Sequence, residues 1–315
     1  MAGEELVERA PPERRALLIA GPTASGKSAL ALALAERFGG TLVNADSMQV
    51  YADLAILTAR PTGAEILRAP HRLFGHVDAA EPYSVGRWIK EAAGALEAAW
   101  TDGRVPILVG GTGLYLRALT EGLSAIPAVP DAVRASVRAD AEGCRPEDLH
   151  ARLATLDPAM AGRLRPSDPQ RIIRALEVFA ATGKSLAHFQ SQREPPVLPL
   201  ASVVGVVLAL DRDELNRRID QRFDSMMEAG ALDEVARLAA RGLDPSLPAM
   251  RALGVPPLLR HLAGELPFAE AVAQGKLLTR HYAKRQGTFF RHQLPGLPWV
   301  APEAADGVLS ARLAS

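Results

Sequence analysis

The sequence predicts an α/β protein built around a parallel sheet, and three observations support this prediction. Residues 21–28, GPTASGKS, satisfy the phosphate-loop pattern G-x-x-x-x-G-K-[ST] between an apolar run and an Ala/Leu-rich helical stretch. Four apolar runs alternate with helical patterns along the chain. Between the third and fourth runs the only periodicity is helical. The predicted fold is therefore a P-loop NTPase-like parallel sheet core with an all-helical insertion domain and a helical C-terminal region.

The predicted strands are the four apolar runs ALLIA (16–20), TLVNA (41–45), VPILVG (105–110) and VVGVVLAL (203–210). Ligands of such sheets bind at the carboxyl ends of the strands. The predicted domains are a disordered tail of residues 1–15, a catalytic core of residues 16–124 and 198–315, and a helical insertion domain of residues 125–197.

Composition excludes some classes of protein. Hydrophobic residues make up 48% of the 315, yet no run approaches the ~20 apolar residues of a membrane span. The first fifteen residues carry charges of both signs and no apolar segment typical of a secretory signal, so we expect a cytoplasmic protein. Lys+Arg and Asp+Glu are both 36, so any binding of nucleic acid must be local. A single cysteine excludes an intramolecular disulfide. We expect a monomer.

The phosphate loop predicts a polyphosphate site. Backbone N–H groups and the N-terminus of the following helix converge on an anion, Lys27 adds a positive charge, and the Ser28 hydroxyl can hold Mg²⁺. The candidate ligand-binding residues are Gly21, Pro22, Thr23, Ala24, Ser25, Gly26, Lys27 and Ser28. The loop does not identify the polyphosphate or the group that attacks it.

Two further strand ends carry polar side chains. Asp46 ends the second predicted strand, where a carboxylate could position Mg²⁺ or accept a proton, with Ser47 and Gln49 offering hydrogen bonds. A turn carboxylate that caps the next segment is the alternative. After the third strand, GGTGLYLRAL (110–119) has paired glycines that let a ligand approach the backbone, and Thr112 adds a hydroxyl. Simple turn geometry is the alternative there.

The fourth strand leads into ALDRDELNRRIDQRF, which contains a carboxylate and two arginines of interest. Asp211 could help to hold Mg²⁺, but Glu214 three residues later favours a capping box at the start of a helix. Arg218 and Arg222 are spaced i, i+4, share one helical face and could reach a pyrophosphate. A solvated or ion-paired face is the alternative.

A basic segment near the C-terminus, KLLTRHYAKRQGTFFRH (276–292), has no acidic residue. Its cations Lys276, Arg280, Lys284 and Arg291 fall on one helical face that could track a nucleic-acid backbone. Its aromatic side chains could stack on bases or face the core, and we predict core packing for Phe289 and Phe290.

Taken together, seven motifs in order resemble the tRNA dimethylallyltransferases, or tRNA isopentenyltransferases, over almost the whole chain. They are GPTASGKS, NADSMQVY, TARP with PHRL, GGTGLYLRAL, DPQRIIRALEVF with TGKSL, RIDQRF and TRHYAKRQ. The resemblance implies transfer of a dimethylallyl group from dimethylallyl diphosphate to the exocyclic N6 amine of the adenosine 3′-adjacent to the anticodon, in tRNAs that read codons beginning with U. N6-dimethylallyladenosine and diphosphate would be the products.

The resemblance also implies roles for individual residues. Asp46 would accept the amine proton, and Thr112 would orient the donor or the base. Lys27, Arg218 and Mg²⁺ on Ser28 would neutralise the leaving diphosphate, which Arg222 would also contact. The target adenine would flip into the site. The anticodon arm would be bound by Asp46, Ser47, Met48, Gln49, Thr112, Arg134, Gln170, Arg171, Ile172, Ile173, Arg174, Arg251, Arg280, Lys284, Arg285 and Gln286.

The chain departs from the family pattern at three places. Residues 57–61 read LTARP where GTAKP is usual, residues 71–84 read HRLFGHVDAAEPYS in place of an HH-L-D stretch, and His281 stands where glutamine is frequent. Two alternative functions stay open: a small-molecule kinase with ATP on the loop and the insertion as a lid, and a nucleotide-dependent RNA-binding switch. The kinase does not explain the basic segment, and the switch predicts nucleotide hydrolysis.

Overall fold

The structure, a computed structural model, describes residues 14–314 and divides into two compact units. The first comprises the described part of residues 1–120 and 197–315, and the second comprises residues 121–196. The predicted disordered tail, residues 1–15, lies outside the described residues except for its last two. Within the described residues, no helix has the length and apolar character needed to cross a membrane.

The first unit contains a six-stranded parallel sheet of order β3-β2-β4-β1-β5-β6. Its strands are β1 (Ala16–Ala20), β2 (Thr41–Asn44), β3 (His71–Arg72), β4 (Pro106–Gly110), β5 (Val203–Leu208) and β6 (Trp299–Val300). The four predicted strands form the centre of the sheet, where burial on both faces gives continuous apolar runs. The two edge strands have two residues each, too few to show a pattern.

Within residues 14–314, nine α-helices belong to this unit, and they are numbered in chain order together with those of the second unit. They are α1 (Lys27–Phe38), α2 (Gly63–Ile66), α3 (Val85–Thr101), α4 (Gly113–Glu121), α10 (Arg212–Glu228), α11 (Ala231–Ala240), α12 (Val255–Leu262), α13 (Phe268–Gln293) and α14 (Pro302–Ala314). Short 3₁₀ helices cover Leu200–Ser202 and Ala249–Arg251.

Helices cover both faces of the sheet because successive residues of a strand point to opposite sides. Leu18 of β1 packs with Trp88 of α3 and Phe290 of α13. Its neighbour Leu17 packs on the other face with Leu34 of α1. Phe290 is fully buried, which confirms its predicted core packing.

A separate hydrophobic cluster supports the segment that follows β2. Val50 and Leu54 pack there against Phe223 of α10, Val235 of α11 and Leu258 of α12. The C-terminal helices therefore hold the chain next to Asp46, at the carboxyl edge of the sheet.

The second unit is helical and has its own core. Its helices are α5 (Asp131–Ala141), α6 (Pro146–Leu156), α7 (Pro158–Ala161), α8 (Pro169–Thr182) and α9 (Leu186–Gln190). Leu153 of α6 packs there with Ile172 and Val178 of α8. Ser124 and Arg193 form an antiparallel bridge, so the two ends of the unit lie side by side.

Candidate active site

The phosphate loop, residues 21–28, connects β1 to α1. Gly26 has a left-handed backbone with φ of 90°, and α1 begins at the next residue with no side-chain cap. Ala24 also has a positive φ, 63°, a strained conformation that is typical of functional loops. Ser25 Oγ is buried and lacks a hydrogen-bond partner among residues 14–314. The loop thus presents a free buried hydroxyl and uncapped helix amides, which suit an anion.

Lys27 lies inside this loop and is 8% exposed. Its Nζ donates to Pro22 O at 3.2 Å, across the loop. Burial lowers the pKa of Lys27 from 10.5 to about 8, while the Asp46 carboxylate raises it and Arg222 lowers it further. The pKa of Arg222 is also lowered by burial and raised by Asp46. The cations Lys27 and Arg222 and the Asp46 carboxylate therefore lie close enough to affect one another's charge.

The backbone around Asp46 is held in place by Asn44. Asn44 Oδ1 accepts from Asp46 N–H at 2.8 Å, and Asn44 Nδ2 donates to Asp46 O at 2.9 Å. Trp88 Nε1 donates in turn to Asn44 O at 2.8 Å. Asp46 Oδ1 accepts from Met48 N–H at 2.9 Å, so this oxygen caps a turn, as the alternative interpretation requires. Oδ2 makes no hydrogen bond to the described part of the chain and is left for a ligand.

The glycine turn after β4 brings Thr112 next to the Asp46 segment. A Cβ at Gly110 would overlap the Ala45 carbonyl, so this close approach requires glycine. Thr112 N donates to Ala45 O at 3.2 Å, and Thr112 Oγ1 accepts from Ser47 N–H at 2.9 Å. The close approach at Gly110 is thus to the protein's own backbone.

A cavity of about 280 Å³ opens where the loop, the Asp46 segment, α10 and α13 meet. The predicted residues that line it are Thr23, Ala24, Asp46, Ser47, Met48, Arg222, Arg251 and Arg285. Its apolar wall is formed by residues to which the sequence analysis assigned no role: Leu57, Ile219, Phe223, Met226, Ala252 and Leu253. The cavity joins a phosphate loop to a carboxylate along an apolar surface.

Tyr282 is a site residue that sequence reasoning missed. It lines the cavity, where burial and the nearby Asp46 charge raise its pKa, while the Thr112 side chain opposes this rise. The phenol therefore stays protonated at neutral pH and can donate a hydrogen bond. Thr279, Tyr282 and Arg285 all line the cavity and are three residues apart on α13, a spacing that could have found this face.

Arg218 and Gln49 are among the predicted residues that lie outside the cavity lining. Arg218 Nε is paired with Glu214 Oε1 at 2.6 Å, the ion-paired alternative, while Arg222 one turn later lines the cavity. Gln49 Nε2 donates to Thr58 O at 2.9 Å and to Ala59 O at 3.2 Å, so its amide supports a loop.

Asp211 caps the start of α10, while Glu214, the second residue of the predicted capping box, pairs its carboxylate with Arg217 and Arg218 instead. The Asp211 side chain accepts from the N–H groups of Asp213 and Glu214 at the start of α10. In the described chain, no group of three or more His, Cys, Asp or Glu side chains could hold a metal ion. A metal at this site would therefore depend on Ser28, which is exposed in the first turn of α1, and on ligand oxygens.

A second, more basic cavity of about 390 Å³ lies beside Pro22. It is lined by Arg212, Arg280, His281, Lys284 and Arg291, with Leu210, Leu277 and Trp299 among the apolar residues. Ala24 and Ile219 of the first cavity pack with Leu215 and Ala283 of the second, so these four side chains separate the two.

Comparison with known proteins identifies the family. The IPP transferase model matches residues 49–293, more than half of the chain, and the isopentenyl transferase model matches residues 14–75. The chain belongs to the IPP transferase family. This confirms the resemblance drawn from the seven motifs.

Individual relatives of this IPP transferase are similar over nearly their whole length. The tRNA dimethylallyltransferase of Beijerinckia indica subsp. indica is 62% identical over 298 residues, which cover 95% of this chain and 99% of that protein. The tRNA dimethylallyltransferase of Methylocella silvestris is 60% identical over 293 residues, 93% of this chain and 97% of that protein.

Solved structures support the predicted fold. The full-length tRNA isopentenylpyrophosphate transferase of Bacillus halodurans superposes with a TM-score of 0.67 at 32% identity, covering 96% of each chain. A eukaryotic dimethylallyltransferase acting on tRNA superposes with a TM-score of 0.74 at 28% identity, covering 91% of this chain and 73% of that one. The P-loop NTPase-like fold is confirmed.

Two residues that the family motifs assigned to tRNA binding are corrected by the structure. Gln286 is 4% exposed, and its amide is bonded to Thr23 N and Gly111 O, so it is not free to bind RNA. Ile172 is fully buried in the core of the second unit. Each motif identifies the residue but not the direction of its side chain.

The other predicted residues of the second unit lie on or near its surface. Arg134 pairs with Asp131 at 3.0 Å, Arg171 with Asp168 at 3.3 Å, and Arg174 with the buried Glu177 at 3.3 Å. Gln170 is exposed and Ile173 is partly buried, both in the first half of α8. Their contacts with tRNA stay a prediction.

Arg60 and His281, at two of the three departures from the family pattern, have identifiable surroundings. Arg60 Nη1 donates to Tyr51 O at 3.2 Å, and its guanidinium fills the space where a side chain at Gly75 would lie. His281 is exposed and lines the second cavity beside Lys284. Neither residue lines the first cavity.

Proposed function

We propose that this IPP transferase moves a dimethylallyl group from dimethylallyl diphosphate to the N6 amine of the adenosine 3′-adjacent to the anticodon, in tRNAs that read codons beginning with U. The products are N6-dimethylallyladenosine and diphosphate. One observation carries the proposal: a single cavity joins Thr23 and Ala24 of the phosphate loop to Asp46 along an apolar wall. The relatives named tRNA dimethylallyltransferase support the same substrates.

The phosphate loop binds the donor's diphosphate. Its amides other than that of Thr23, the Ser25 hydroxyl and Lys27 contact the phosphate oxygens, and Arg222 approaches from α10. Negative charge grows on the diphosphate as the allylic carbon–oxygen bond breaks, so these cations stabilise the transition state more than the bound donor. Removing one preorganised donor of this kind costs about 10²–10³-fold in turnover. Arg218 stays a second candidate for this role.

Mg²⁺ fits the site with the oxygens of the diphosphate among its ligands. Magnesium is commonly bound by one or two protein oxygens together with substrate phosphates. Ser28 Oγ, exposed in the first turn of α1, is the protein oxygen that would hold it. Bound there, the ion would neutralise part of the charge on the leaving group.

Asp46 acts as the general base. The adenine N6 attacks the allylic carbon, the carbon–nitrogen bond forms, the carbon–oxygen bond to diphosphate breaks, and the amine proton passes to Asp46 Oδ2. Asn44 holds the backbone of Asp46, and Met48 N–H binds Oδ1, which leaves Oδ2 to accept the proton. Tyr282 and Thr112, which lie close enough for Thr112 to affect the pKa of the phenol, orient the base or the donor.

The acceptor adenine reaches this cavity only after it leaves its stack in the anticodon loop. Ser47 and Met48 line the cavity next to Asp46, and Arg251 and Arg285 line it as cations for the adjoining phosphates. Arg280 and Lys284 in the second cavity, and the surface arginines of the second unit, provide the remaining RNA contacts. Because the proposed substrate is tRNA, we also propose a cytoplasmic location, and a monomer because one chain supplies the whole cavity lining.

A kinase that binds ATP on the loop is the second candidate, since the loop alone would accept ATP. The experiment is to incubate the protein with unmodified tRNA and dimethylallyl diphosphate and weigh the digested nucleosides. Parallel samples contain AMP as the acceptor, or ATP without donor. Dimethylallyladenosine that forms with tRNA as the acceptor, but not with AMP, supports the proposal. Unmodified adenosine together with ATP turnover, or a product from AMP only, contradicts it.

A further inference from the structure

Gln286 is a buried side chain whose hydrogen bonds span two parts of the active site. Its Oε1 accepts from the N–H of Thr23 in the phosphate loop at 2.9 Å. Its Nε2 donates to the carbonyl of Gly111, in the turn before Thr112, at 2.9 Å. The residue is 4% exposed, so these bonds are shielded from water.

The turn is shaped to receive this amide. A Cβ at position 111 would overlap Gln286 Nε2, so the carbonyl and the amide can meet only because residue 111 is glycine. Gln286 lies one helical turn after the cavity-lining Tyr282, and its amide opposes the rise that burial causes in the pKa of that phenol. The amide of Gln286 therefore joins the loop to the turn, beside a residue that lines the cavity.

The two parts that Gln286 joins carry opposite ends of the proposed reaction. The loop holds the diphosphate that leaves. The turn holds Thr112, whose Oγ1 accepts from Ser47 N–H at 2.9 Å, next to the proposed base Asp46. Transfer requires the leaving oxygen, the allylic carbon and the attacking nitrogen to be aligned, and a 1 Å misplacement can cost about 10²-fold in rate.

We propose that Gln286 is a positioning residue that fixes the phosphate loop relative to the Thr112 turn, and so sets the alignment of the diphosphate with the attacking adenine. This proposal rests on the proposed prenyl transfer. It also means that Thr23 N–H is used inside the protein and does not serve the diphosphate. Gln286 itself touches neither substrate.

The test compares Gln286→Met with the wild type. Methionine has a similar length but cannot bond to Thr23 N–H or Gly111 O. We expect the single-turnover rate at saturating tRNA and dimethylallyl diphosphate to fall by about tenfold or more, because alignment is lost. The Kd for inorganic pyrophosphate should change by less than about threefold, because Lys27 and the α1 amides are intact. A lower affinity with an unchanged saturated rate, or no change in either, would overturn the proposal.

Two further variants separate positioning from folding. Gln293→Met, on the same helix, loses a 2.6 Å bond from Arg117 but does not touch the loop, and should leave the rate unchanged. Relative to the wild type at the same pH, Gln286→Glu should be less impaired at acidic pH, where a protonated carboxyl can donate to Gly111 O, than at pH 8, where a carboxylate repels it. Equal impairment of this variant at both pH values would count against the proposal.

Hydrogen exchange distinguishes failure of this inference from failure of the proposed function. The Thr23 amide should be protected in the free wild-type protein and should exchange at least about tenfold faster in Gln286→Met, whatever the reaction catalysed. If the wild type does not modify tRNA but Thr23 behaves in this way, the proposed function is wrong and the link made by Gln286 stands. Equal exchange in both proteins would exclude that link.

Discussion

At the residue scale, burial lowers the pKa of Lys27, and this makes ligand binding sensitive to pH. Its pKa of about 8 means that part of the population is neutral in the free protein at that pH. A diphosphate placed beside Lys27 favours the ammonium form and raises this pKa, so binding takes up protons at pH 8.

We therefore predict proton uptake when inorganic pyrophosphate binds at pH 8, amounting to roughly half a proton from Lys27. Calorimetry in two buffers of different ionisation enthalpy measures it. In Lys27→Met this part of the uptake should vanish, which subtracts any protons that pyrophosphate itself binds. Equal uptake by both proteins would place the ligand away from Lys27.

Glu234 is a second residue for which the structure predicts the effect of a substitution, in this case on the free energy of unfolding. Its buried carboxylate accepts from three consecutive backbone N–H groups, those of Ala55, Ile56 and Leu57, at 2.7 to 2.9 Å. Glu234→Ala leaves three donors without this partner and should lower the free energy of unfolding by about 3 kcal/mol or more in urea titrations. Asp233→Ala, at an exposed position in the same helical turn, is the control and should cost less than about 1 kcal/mol. Similar losses would show that the Glu234 bonds contribute little.

At the scale of elements, two cations of α13 differ in their surroundings. Lys284 is exposed in the second cavity, while Arg280 is paired with Asp220 at 2.8 Å. Phosphate contact by Lys284 is therefore less costly, since no ion pair must break.

We predict that Lys284→Ala lowers the slope of log affinity for tRNA against log salt by about 1. Filter binding over a range of salt concentrations measures this slope. Lys90→Ala removes an exposed lysine from α3, outside both cavities, and should leave the slope as it is. A slope that does not respond to Lys284→Ala would remove this residue from the RNA footprint.

The elements also show which features the sequence could predict. The strands β1, β2, β4 and β5 are central and apolar throughout, so local composition predicts them. The edge strands β3 and β6 exist because neighbouring strands pair with them, which no local pattern reveals. Lys27, Asp46 and Arg222 were predictable because strand ends and helix spacing locate them.

Side-chain direction accounts for the wrong predictions. Ile172 belongs to a buried stripe with Ala175 and Leu176, and this spacing in α8 could have placed it inside. Gln286 gave no such signal, because its two partners, Thr23 and Gly111, are distant in sequence and meet it only in the folded chain.

At the scale of the whole molecule, the two units can be tested separately. Every residue that lines the first cavity belongs to the first unit. The bridge between Ser124 and Arg193 places the ends of the second unit side by side, so a short Gly/Ser linker can replace residues 125–192.

We predict that this replacement leaves pyrophosphate affinity unchanged and weakens tRNA binding by about tenfold or more, because the phosphate contacts of the second unit are lost. Calorimetry and filter binding measure the two affinities. If the shortened protein kept full tRNA affinity, the insertion would not be a tRNA-binding domain.

The central claim is that a prenyl diphosphate on the phosphate loop faces an adenine whose proton passes to Asp46. The most direct measurement is the mass of nucleosides from tRNA treated with dimethylallyl diphosphate and either the wild type or Asp46→Asn, with tRNA affinity measured alongside. We predict that the wild type forms dimethylallyladenosine. With Asp46→Asn, turnover should fall by at least about 10²-fold while the affinity for tRNA is largely retained. Full turnover by Asp46→Asn, or no modified adenosine with the wild type, would contradict the account.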